Sequence, residues 1–567
     1  MKALAQVFFL FILLQNAFAQ QTLVYSDAWK SYQKGLELWN EKNFTSSRNA
    51  FEDALLQPFS NASNPDVLLQ NLHFYIAACA VENNDKDAEQ CLNNYMLRFH
   101  ETDKRKLIYY YAGKLAFQEK KYSNAIEHLA KVKEQDLLPE QLDNYRFMLG
   151  YSYFAKKKFE EAKPLFHSLL TAEEKYFYPA NYYYAFICFY TKDFDAALNS
   201  FLKIQDSKMY AGVIPYYIAQ IYYAQQAYKK VVEYIPTKVN DSGVMYKPEL
   251  NFLLGQAYFQ LSEYAKALPL LDAYLSKQSK ANKHELYQLG YAQYKTGDYK
   301  RAIENFVQLN LLNDTLGQNA TYALADCYLK TNKKAQALTA FQSAAAMSFD
   351  KEIQTTATFN YGKLLVETGG YSEAVNTLKN FIENNAGSAY YEEANELLAT
   401  ALFQTKNYEA AYELIEGMNL RSPKLNETYQ KLTYFRAIQL LNDAKPAEAE
   451  ALCNKSLGIT ADKNITARAL FVKGEAQYQQ KNYAGAASNF AKSLEFNAKY
   501  DNSFFPFLVH YNIGYSFFKE KQYKYAAAAF ERAISENSSE LTVLQKEKLL
   551  PDAYLRFADC AFVTQQY

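Results

Sequence analysis

A phrase that returns with constant spacing is the strongest constraint on how this chain folds. It reads LGYSYFAKKKFEEAKPLF at residues 149–166, LGYAQYKTGDYKRAIENF at residues 289–306 and IGYSFFKEKQYKYAAAAF at residues 513–530. In each copy a glycine is followed by an aromatic residue nine positions later, an alanine three positions after that, and a phenylalanine four positions further on. Spacing that is preserved in distant parts of a chain indicates a structural repeat.

The small residue of the phrase marks an ordered series along almost the whole chain. Fifteen positions at intervals of 34 to 44 residues are all Gly or Ala: Gly35, Ala77, Gly113, Gly150, Ala185, Ala219, Gly255, Gly290, Ala325, Gly362, Ala399, Ala437, Gly474, Gly514 and Ala558. An aromatic residue stands nine positions after twelve of them, and alanine follows by twelve positions in twelve of the fourteen complete units, the second unit with a one-residue deletion. The longer intervals predict insertions near residues 57–66, 496–505 and 536–551.

Helix packing explains this pattern. Small residues are needed where two helix backbones approach closely, and bulk at those places would push the helices apart. A short polar turn such as Lys295–Asp298 separates the two halves of a unit, with Gly297 suited to end the first helix and Asp298 suited to cap the second. Apolar residues recur at helical spacing in each half, so each pair has a face that only the next pair can bury. Each unit is therefore predicted to be two antiparallel helices.

The units resemble the tetratricopeptide repeat family, whose pattern is W-x2-L-G-x2-Y, then A-x3-F, then P. The matching residues are Leu149-Gly150 with Tyr153, Ala162 and Phe166; Leu254-Gly255 with Tyr258 and Ala267; and Ala325 with Tyr328, Ala337 and Phe341. The family's tryptophan is missing and its closing proline is mostly missing. The resemblance implies an all-α fold, an α-α superhelix (tetratricopeptide solenoid) of about fifteen antiparallel helix pairs.

The N-terminus has the composition of a secretory signal peptide. Lys2 precedes an apolar run over residues 7–14, and Ala17-Phe18-Ala19 forms an A-x-A cleavage site. The alternative is a buried N-terminal helix, although nothing amphipathic surrounds the run. We therefore predict a signal peptide over residues 1–19 and a repeat solenoid over residues 20–567, in an exported, periplasmic protein that is soluble or peripherally associated with the outer membrane.

The last repeat is predicted to be incomplete. Tyr567 occupies the aromatic position of the fifteenth unit, so the second helix of that unit is not in the sequence. Five apolar residues of its first helix then have no second helix to cover them: Leu555, Phe557, Ala561, Phe562 and Val563. We expect either that the sequence is a fragment or that a partner covers this end.

Charge and motifs argue against several functional classes. Lys plus Arg and Asp plus Glu both total 61, so no basic field favours nucleic acid. Motifs of metalloproteases, serine hydrolases, phosphate loops and dinucleotide sites are absent, and the six histidines are scattered. The chain is therefore predicted not to be an enzyme, with no cofactor, no metal site and no membrane span.

Two local features leave alternatives open. Cys79 and Cys91 could face each other on two helices of one repeat, and an oxidising compartment would permit a disulfide; otherwise the six cysteines are small buried side chains. The triplet at residues 314–316, Asp-Thr-Leu, looks like an acceptor for bacterial periplasmic O-glycosylation. Alternatively, Asp314 or Thr315 caps the helix that begins near Gly317.

Binding is the function that remains. The first interpretation is a non-catalytic protein–protein interaction scaffold of the bacterial cell envelope, which binds peptide or protein segments in a concave aromatic groove. By analogy with the family alone, the scaffold would belong to outer-membrane assembly or secretion machinery. The alternative is a glycan- or peptidoglycan-binding envelope protein, because sugars stack on exposed aromatic rings and the chain contains 51 tyrosines.

The resemblance also implies which side chains line the groove. In the family, the residues three before, one after and four after the small residue face inward; we call these the first, middle and third places. Aromatic residues fill all three places in four repeats: Phe147, Tyr151 and Phe154; Tyr182, Phe186 and Phe189; Tyr287, Tyr291 and Tyr294; and Tyr511, Tyr515 and Phe518. Family members that clamp a terminal carboxylate use Asn at the middle place, and no aligned unit has it. The set therefore predicts an apolar stacking surface, unless the rings only fill space between helices.

Overall fold

The structure is a computed structural model that describes residues 27–59, 64–100, 103–418, 422–459, 461–496, 504–536, 543 and 545–565. The predicted signal peptide, residues 1–19, lies outside the described residues. The described residues fold into α-helices with short connections and include no β-strand. The chain divides into two compact units, Met1–Lys277 (unit 1) and Gln278–Tyr567 (unit 2).

Unit 1 contains seven antiparallel helix pairs, repeats 1 to 7. Their bounds are Asp27–Asn40 and Phe44–Leu55; Pro65–Asn83 and Ala88–Arg98; Arg105–Gln118 and Tyr122–Leu129; Pro139–Ala155 and Phe159–His167; Glu174–Tyr190 and Phe194–Ile204; Ile214–Ala224 and Tyr228–Lys238; and Lys247–Gln260 and Tyr264–Leu275. A short 3₁₀ helix, Glu134–Asp136, precedes repeat 4.

Unit 2 contains seven further pairs, repeats 8 to 14, and the first helix of repeat 15. Their bounds are Lys283–Thr296 and Tyr299–Val307; Thr315–Lys330 and Lys334–Ala346; Lys351–Thr368 and Tyr371–Asn384; Tyr391–Gln404 and Tyr408–Glu416; Pro423–Asn442 and Pro446–Leu457; Lys463–Gln479 and Tyr483–Glu495; Phe504–Lys519 and Tyr523–Ser535; and Leu550–Val563. A π-helical turn, Gln545–Leu549, precedes the last helix. The prediction of an all-α fold with about fifteen antiparallel helix pairs is confirmed.

The small residues lie where the two helices of a pair approach most closely. In repeat 1 the Oγ atom of Ser47 donates a hydrogen bond to the Gly35 carbonyl across the pair, at 2.8 Å. The side chain that covers the small residue comes sixteen positions later: a Cβ atom added at Gly474 would lie 2.7 Å from the Phe490 ring. At Gly150 the nearest atom to an added Cβ is the Leu165 Cβ, at 3.3 Å. The closeness of approach therefore differs from repeat to repeat.

Every turn between the two helices of a repeat contains one residue in the left-handed conformation, and one such residue also follows the helix of repeat 15. It stands seven positions after the small residue: Lys42, Asn84, Lys120, Lys157, Lys192, Gln226, Ser262, Gly297, Asn332, Gly369, Lys406, Ala444, Lys481, Lys521 and Gln565. The predicted turn at Gly297 and Asp298 is confirmed, because Gly297 has φ +89° and the Asp298 carboxylate accepts a hydrogen bond from the Arg301 N–H. Glycine is nevertheless found in only two of these turns, although it is the residue that adopts this conformation without strain.

The helix-cap interpretation of residues 314–316 is confirmed. Asp314 is the N-cap residue of the helix Thr315–Lys330, and its side chain accepts a hydrogen bond of 2.8 Å from the Gly317 N–H. The other carboxylate oxygen of Asp314 accepts from Lys283 Nζ at 2.7 Å. The predicted insertions at 57–66, 496–505 and 536–551 follow the ends of second helices and run into the first residues of the next helix. Residues 60–63, 497–503, 537–542 and 544 of these segments lie outside the described residues.

The cysteines are not paired. All six are free thiols, and all except Cys91 are buried. Cys79 Sγ lies 3.6 Å from Ser47 Oγ, whereas Cys91 Sγ lies 3.7 Å from Asp87 Oδ2, so the two thiols have separate polar neighbours. Burial raises the pKa of the Cys79 thiol to about 12 and that of the Cys91 thiol to about 11, which keeps both protonated and unreactive near neutral pH.

Membrane insertion of a helix is not supported by the part of the chain that the structure describes. None of its helices combines the length and the apolar composition that a bilayer span requires.

Candidate functional site

The first-place rings contribute to packing within the repeat. Each contacts the phenylalanine that covers the small residue, with ring centroids 6.0 to 6.3 Å apart: Phe147 with Phe166, Tyr182 with Phe201, Tyr287 with Phe306, and Tyr511 with Phe530. The third-place rings contact the aromatic residue that opens the second helix, at 5.6 to 6.2 Å: Phe154 with Phe159, Phe189 with Phe194, Tyr294 with Tyr299, and Phe518 with Tyr523. Eight of the twelve predicted groove residues therefore hold their own helix pair together while remaining half-buried.

The middle-place rings are held mainly by other rings. Tyr291 lies between Tyr287 and Tyr294 on its own helix, with centroid distances of 5.5 and 5.7 Å. Phe186 instead contacts rings of the preceding and following repeats, Phe154 at 5.6 Å and Tyr217 at 5.9 Å. Middle-place residues are thus half-buried, and the ring contacts of Phe186 lie between repeats and not within its own.

Unit 1 brings the middle-place and third-place rings of two predicted sets together into one continuous group of rings. Seven half-buried rings from the first helices of repeats 3 to 6 form this group, which we call the aromatic surface: Phe117, Tyr151, Phe154, Tyr183, Phe186, Phe189 and Tyr217. Neighbouring centroids along it lie 4.8 to 5.9 Å apart. The sets of repeats 8 and 14 are not brought together, because repeats 9 to 13 separate them within unit 2.

Three members of the aromatic surface were not among the predicted site residues. Tyr183 and Tyr217 stand two positions before the small residue of their repeats, and Phe117 occupies the third place of a repeat whose middle place is Lys114. Of the three, Tyr183 connects repeat 5 to repeat 4, because its ring centroid lies 5.1 Å from that of Tyr151 and 4.8 Å from that of Phe154. The triple tyrosine at residues 182–184 was the available signal, but a rule based on places within one repeat does not detect contacts between repeats.

The aromatic surface carries no net charge near neutral pH. Burial raises the pKa of the Tyr217 phenol to about 12 and shifts the pKa of Tyr183 further upward, so both phenols stay protonated. The one cation at a middle place beside the surface, Lys114, is paired: its Nζ lies 2.5 Å from the Glu82 carboxylate, and only 15% and 19% of the two side chains are exposed. The arrangement suits an uncharged, apolar ligand better than a terminal carboxylate.

The aromatic sets of unit 2 use their hydroxyls for contacts between repeats. Tyr294 donates a hydrogen bond of 2.8 Å to Asp326 of the next repeat. Tyr511 donates one of 2.7 Å to Asp552 of repeat 15, and Tyr515 donates to the same carboxylate. These phenols connect neighbouring repeats, so the sets of repeats 8 and 14 contribute to packing in unit 2.

No candidate metal centre accompanies these rings in the described part of the chain. Among the described residues, no group of three or more His, Cys, Asp or Glu side chains is arranged to hold a metal ion.

Comparison with known protein families agrees with the repeat geometry. Residues 360–417 match the family model described as tetratricopeptide repeat, and residues 264–344 match the model described as anaphase-promoting complex, cyclosome, subunit 3. No curated protein sequence matches the chain significantly. The tetratricopeptide match covers repeat 11 and most of repeat 10, both of which have the same helix pair as the other repeats.

Solved structures similar to this one include two tetratricopeptide repeat proteins and one complex. YrrB, a tetratricopeptide repeat protein with an unusual peptide-binding site, has 18% identity, with 34% of this chain and 96% of that chain covered and a TM-score of 0.30. A tetratricopeptide repeat protein from Parabacteroides merdae has 18% identity, coverage of 47% and 98%, and a TM-score of 0.26. The Naa15/Naa10 complex bound to HypK-THB has 9% identity, coverage of 95% and 96%, and a TM-score of 0.30.

Proposed function

Since the chain is a tetratricopeptide repeat protein, and this family generally supplies non-catalytic scaffolds for protein–protein interaction, we propose that its aromatic surface binds extended, apolar segments of other proteins. The observation that carries the proposal is the continuity of seven half-buried rings over four successive repeats of unit 1. Rings that stay half-exposed provide a large apolar contact area at little cost in side-chain entropy. An extended segment lying across several first helices would contact all of them.

Ring geometry favours peptide over glycan on this surface. The rings meet mainly edge to face, with interplanar angles of 82° for Phe117 and Tyr151, 80° for Tyr151 and Tyr183, and 76° for Phe154 and Phe186. Such an arrangement covers many ring faces with neighbouring edges, whereas sugar rings need open, flat faces for stacking. Apolar peptide side chains can insert between edge-to-face rings.

The experiment replaces the middle-place rings with a residue that this fold already accepts there. Repeats 6 and 7 have Gln220 and Gln256 at the middle place, so the double variant Tyr151→Gln/Phe186→Gln is expected to fold. The matched control is Tyr291→Gln, which changes the same place in unit 2 outside the aromatic surface. Both variants and the unchanged chain are panned against a phage-displayed library of extended peptides and applied to a glycan array.

Enrichment of peptides with aromatic or branched apolar residues is expected for the unchanged chain and for the control. It is expected to be lost in the unit 1 variant while the hydrogen-exchange protection of repeats 3 to 6 is unchanged. A glycan signal that disappears in the same variant would replace the peptide proposal with the glycan alternative. Peptide binding that survives the unit 1 substitutions would refute this site.

We also propose that the protein works after export, in the bacterial envelope. The support is the charged, apolar and A-x-A segments of residues 1–19, which precede the repeats. Expression of the complete sequence in a bacterial host, followed by cell fractionation and N-terminal sequencing, tests this. A periplasmic chain that begins near Gln20 is expected, and a cytoplasmic chain that retains Met1 would contradict it.

A further inference from the structure

Most charged side chains at the middle places are neutralised inside the protein. In the fourteen helix pairs that the structure describes, the residues with such side chains are Lys114, Asp326, Lys363 and Glu475. Each lysine is paired with a glutamate, Lys114 with Glu82 at 2.5 Å and Lys363 with Glu393 at 2.8 Å. Burial raises the pKa of the Glu475 carboxyl, which favours its uncharged form. The charge of Asp326 has no such compensation among the described residues.

The Asp326 carboxylate is half-buried beside two phenols of repeats 8 and 9. Its Oδ2 atom accepts a hydrogen bond of 2.8 Å from the Tyr294 hydroxyl, whereas no described residue donates to its Oδ1 atom. Burial raises the pKa of the Tyr294 and Tyr322 phenols, and the nearby negative charge of Asp326 raises both pKa values further. One oxygen of this carboxylate is therefore available to a further hydrogen-bond donor.

An ammonium group already lies over one of these rings. Lys295 Nζ is 5.2 Å from the centroid of the Tyr294 ring, a distance at which a cation is attracted to an aromatic face. The Lys295 side chain is exposed and forms no ion pair with Asp326. The Tyr294 ring thus presents a face that accepts a cation, while its hydroxyl holds the Asp326 carboxylate. Two groups that attract positive charge are joined at one place.

We infer that Asp326 and Tyr294 form a binding site for a lysine or arginine side chain of a partner protein. The ammonium or guanidinium group donates to Oδ1 of Asp326, while Tyr294 keeps its hydrogen bond to Oδ2. The alkyl part of the incoming side chain lies along the rings of Tyr294 and Tyr322. A protein is the expected source of the cation because the family generally supplies scaffolds for protein–protein interaction. This site lies in unit 2, and it does not depend on the function proposed for the aromatic surface of unit 1.

The test uses the full chain and fluorescent libraries of short, N-acetylated peptides with a fixed central residue. That residue is lysine or arginine, an uncharged counterpart of each (norleucine and citrulline), or glutamate. The chain is compared with Asp326→Asn, whose side-chain oxygen can still accept from Tyr294, and with Asp326→Lys, which reverses the charge. The matched control is Glu304→Gln, which removes one carboxylate from an exposed position on the second helix of repeat 8.

The lysine and arginine libraries are expected to bind the unchanged chain and Glu304→Gln at least about fivefold more tightly than their uncharged counterparts do, because the charge supplies both contacts. This preference should disappear in Asp326→Asn and turn toward glutamate in Asp326→Lys, while hydrogen-exchange protection of repeats 8 and 9 shows that the variants remain folded. It should persist in the unit 1 variant Tyr151→Gln/Phe186→Gln, which tests the two sites separately.

A zero-length carbodiimide crosslink locates the bound lysine without any substitution, because it joins an amine to the carboxylate that it contacts. Asp326 is expected to be the coupled residue when the lysine library is crosslinked to the unchanged chain. Coupling only at other carboxylates would overturn the inference. The absence of a preference for the cationic libraries, a preference that Asp326→Asn retains, or one that Glu304→Gln also loses, would overturn it as well.

Discussion

Glycine-to-alanine substitutions at the small positions should have opposite effects in different repeats. Alanine in a helix interior is favoured over glycine by about 1 kcal/mol, because glycine loses more backbone entropy on folding. Overpacking a closed helix contact costs about 1–3 kcal/mol. The sign of the net effect therefore depends on the space available to the new Cβ atom.

Gly150 and Gly474 provide the contrast. At Gly150 the nearest atoms to an added Cβ lie 3.3 and 3.4 Å away, a distance that a shift of a few tenths of an ångström relieves. At Gly474 three atoms of the Phe490 ring lie 2.7 to 3.0 Å away, and the fully buried ring cannot rotate out of the contact. We expect Gly150→Ala to stabilise repeat 4 by about 0.5–1 kcal/mol and Gly474→Ala to destabilise repeat 13 by about 1–2 kcal/mol.

Hydrogen exchange measured by mass spectrometry is the suitable assay, because stability in a repeat array is local and a single melting temperature does not resolve it. The helices of repeat 4 should exchange more slowly in Gly150→Ala, and those of repeat 13 faster in Gly474→Ala, with distant repeats unchanged. Equal protection of both sites would refute the argument from Cβ clearance. A uniform change over all repeats would refute the nearest-neighbour description of the array.

Three further outcomes follow from single contacts. Ala444 has a left-handed φ of +58°, which strains an alanine. Ala444→Gly should relieve the strain and stabilise repeat 12 by about 1 kcal/mol, so that its hydrogen exchange becomes slower. Faster exchange would contradict the strain argument. Lys114→Met should destabilise repeats 2 and 3 by about 3 kcal/mol, because it leaves the Glu82 carboxylate buried without its cation. The double variant Lys114→Met/Glu82→Leu should recover most of this lost stability. No recovery in the double variant would argue against the ion pair. Burial raises the pKa of the Glu475 carboxyl, so the folded chain holds this proton more tightly than the unfolded chain does. The resulting stability is fully present below the ordinary carboxyl pKa and is lost as pH rises through the raised pKa. Protection of repeat 13 should therefore fall on going from mildly acidic to neutral pH, and Glu475→Gln, which can keep a hydrogen bond to Asn512, should abolish that dependence; an unchanged pH profile in the variant would contradict it.

The helical architecture could be predicted from the sequence because the repeated motif contains several of the residues that contact one another in each helix pair. The aromatic residue nine positions after the small residue is the first residue of the second helix, as Phe159 and Tyr483 show. The alanine twelve positions after it is fully buried, as Ala162 and Ala486 show. Fifteen repetitions make such a pattern visible even where single units depart from it.

The turn conformation was harder to predict, for a physical reason. Glycine marks a left-handed residue reliably, but only Gly297 and Gly369 use it here; most turns place lysine, asparagine or another side chain there. Each such residue accepts a strained conformation that costs roughly 1–2 kcal/mol. The surrounding helix pair compensates for this cost, and that compensation becomes visible only once the helices are packed.

Binding chemistry along the chain depends on the few places that the repeat does not need for its own packing. Four positions contact one another or the second helix: the first place, the small residue, the third place and the opening aromatic. The chemistry of their side chains therefore varies little between repeats. The middle place is less constrained: in repeats 3 to 7 it reads Lys114, Tyr151, Phe186, Gln220 and Gln256. Lysine at one end is neutralised by an ion pair with Glu82, and amides follow at the other end. Within repeats 3 to 7 the apolar middle places are thus those of repeats 4 and 5, so an apolar segment on the aromatic surface should be held most tightly there. Substitutions at these two middle places should change binding more than equal substitutions at the middle places of repeats 3, 6 and 7.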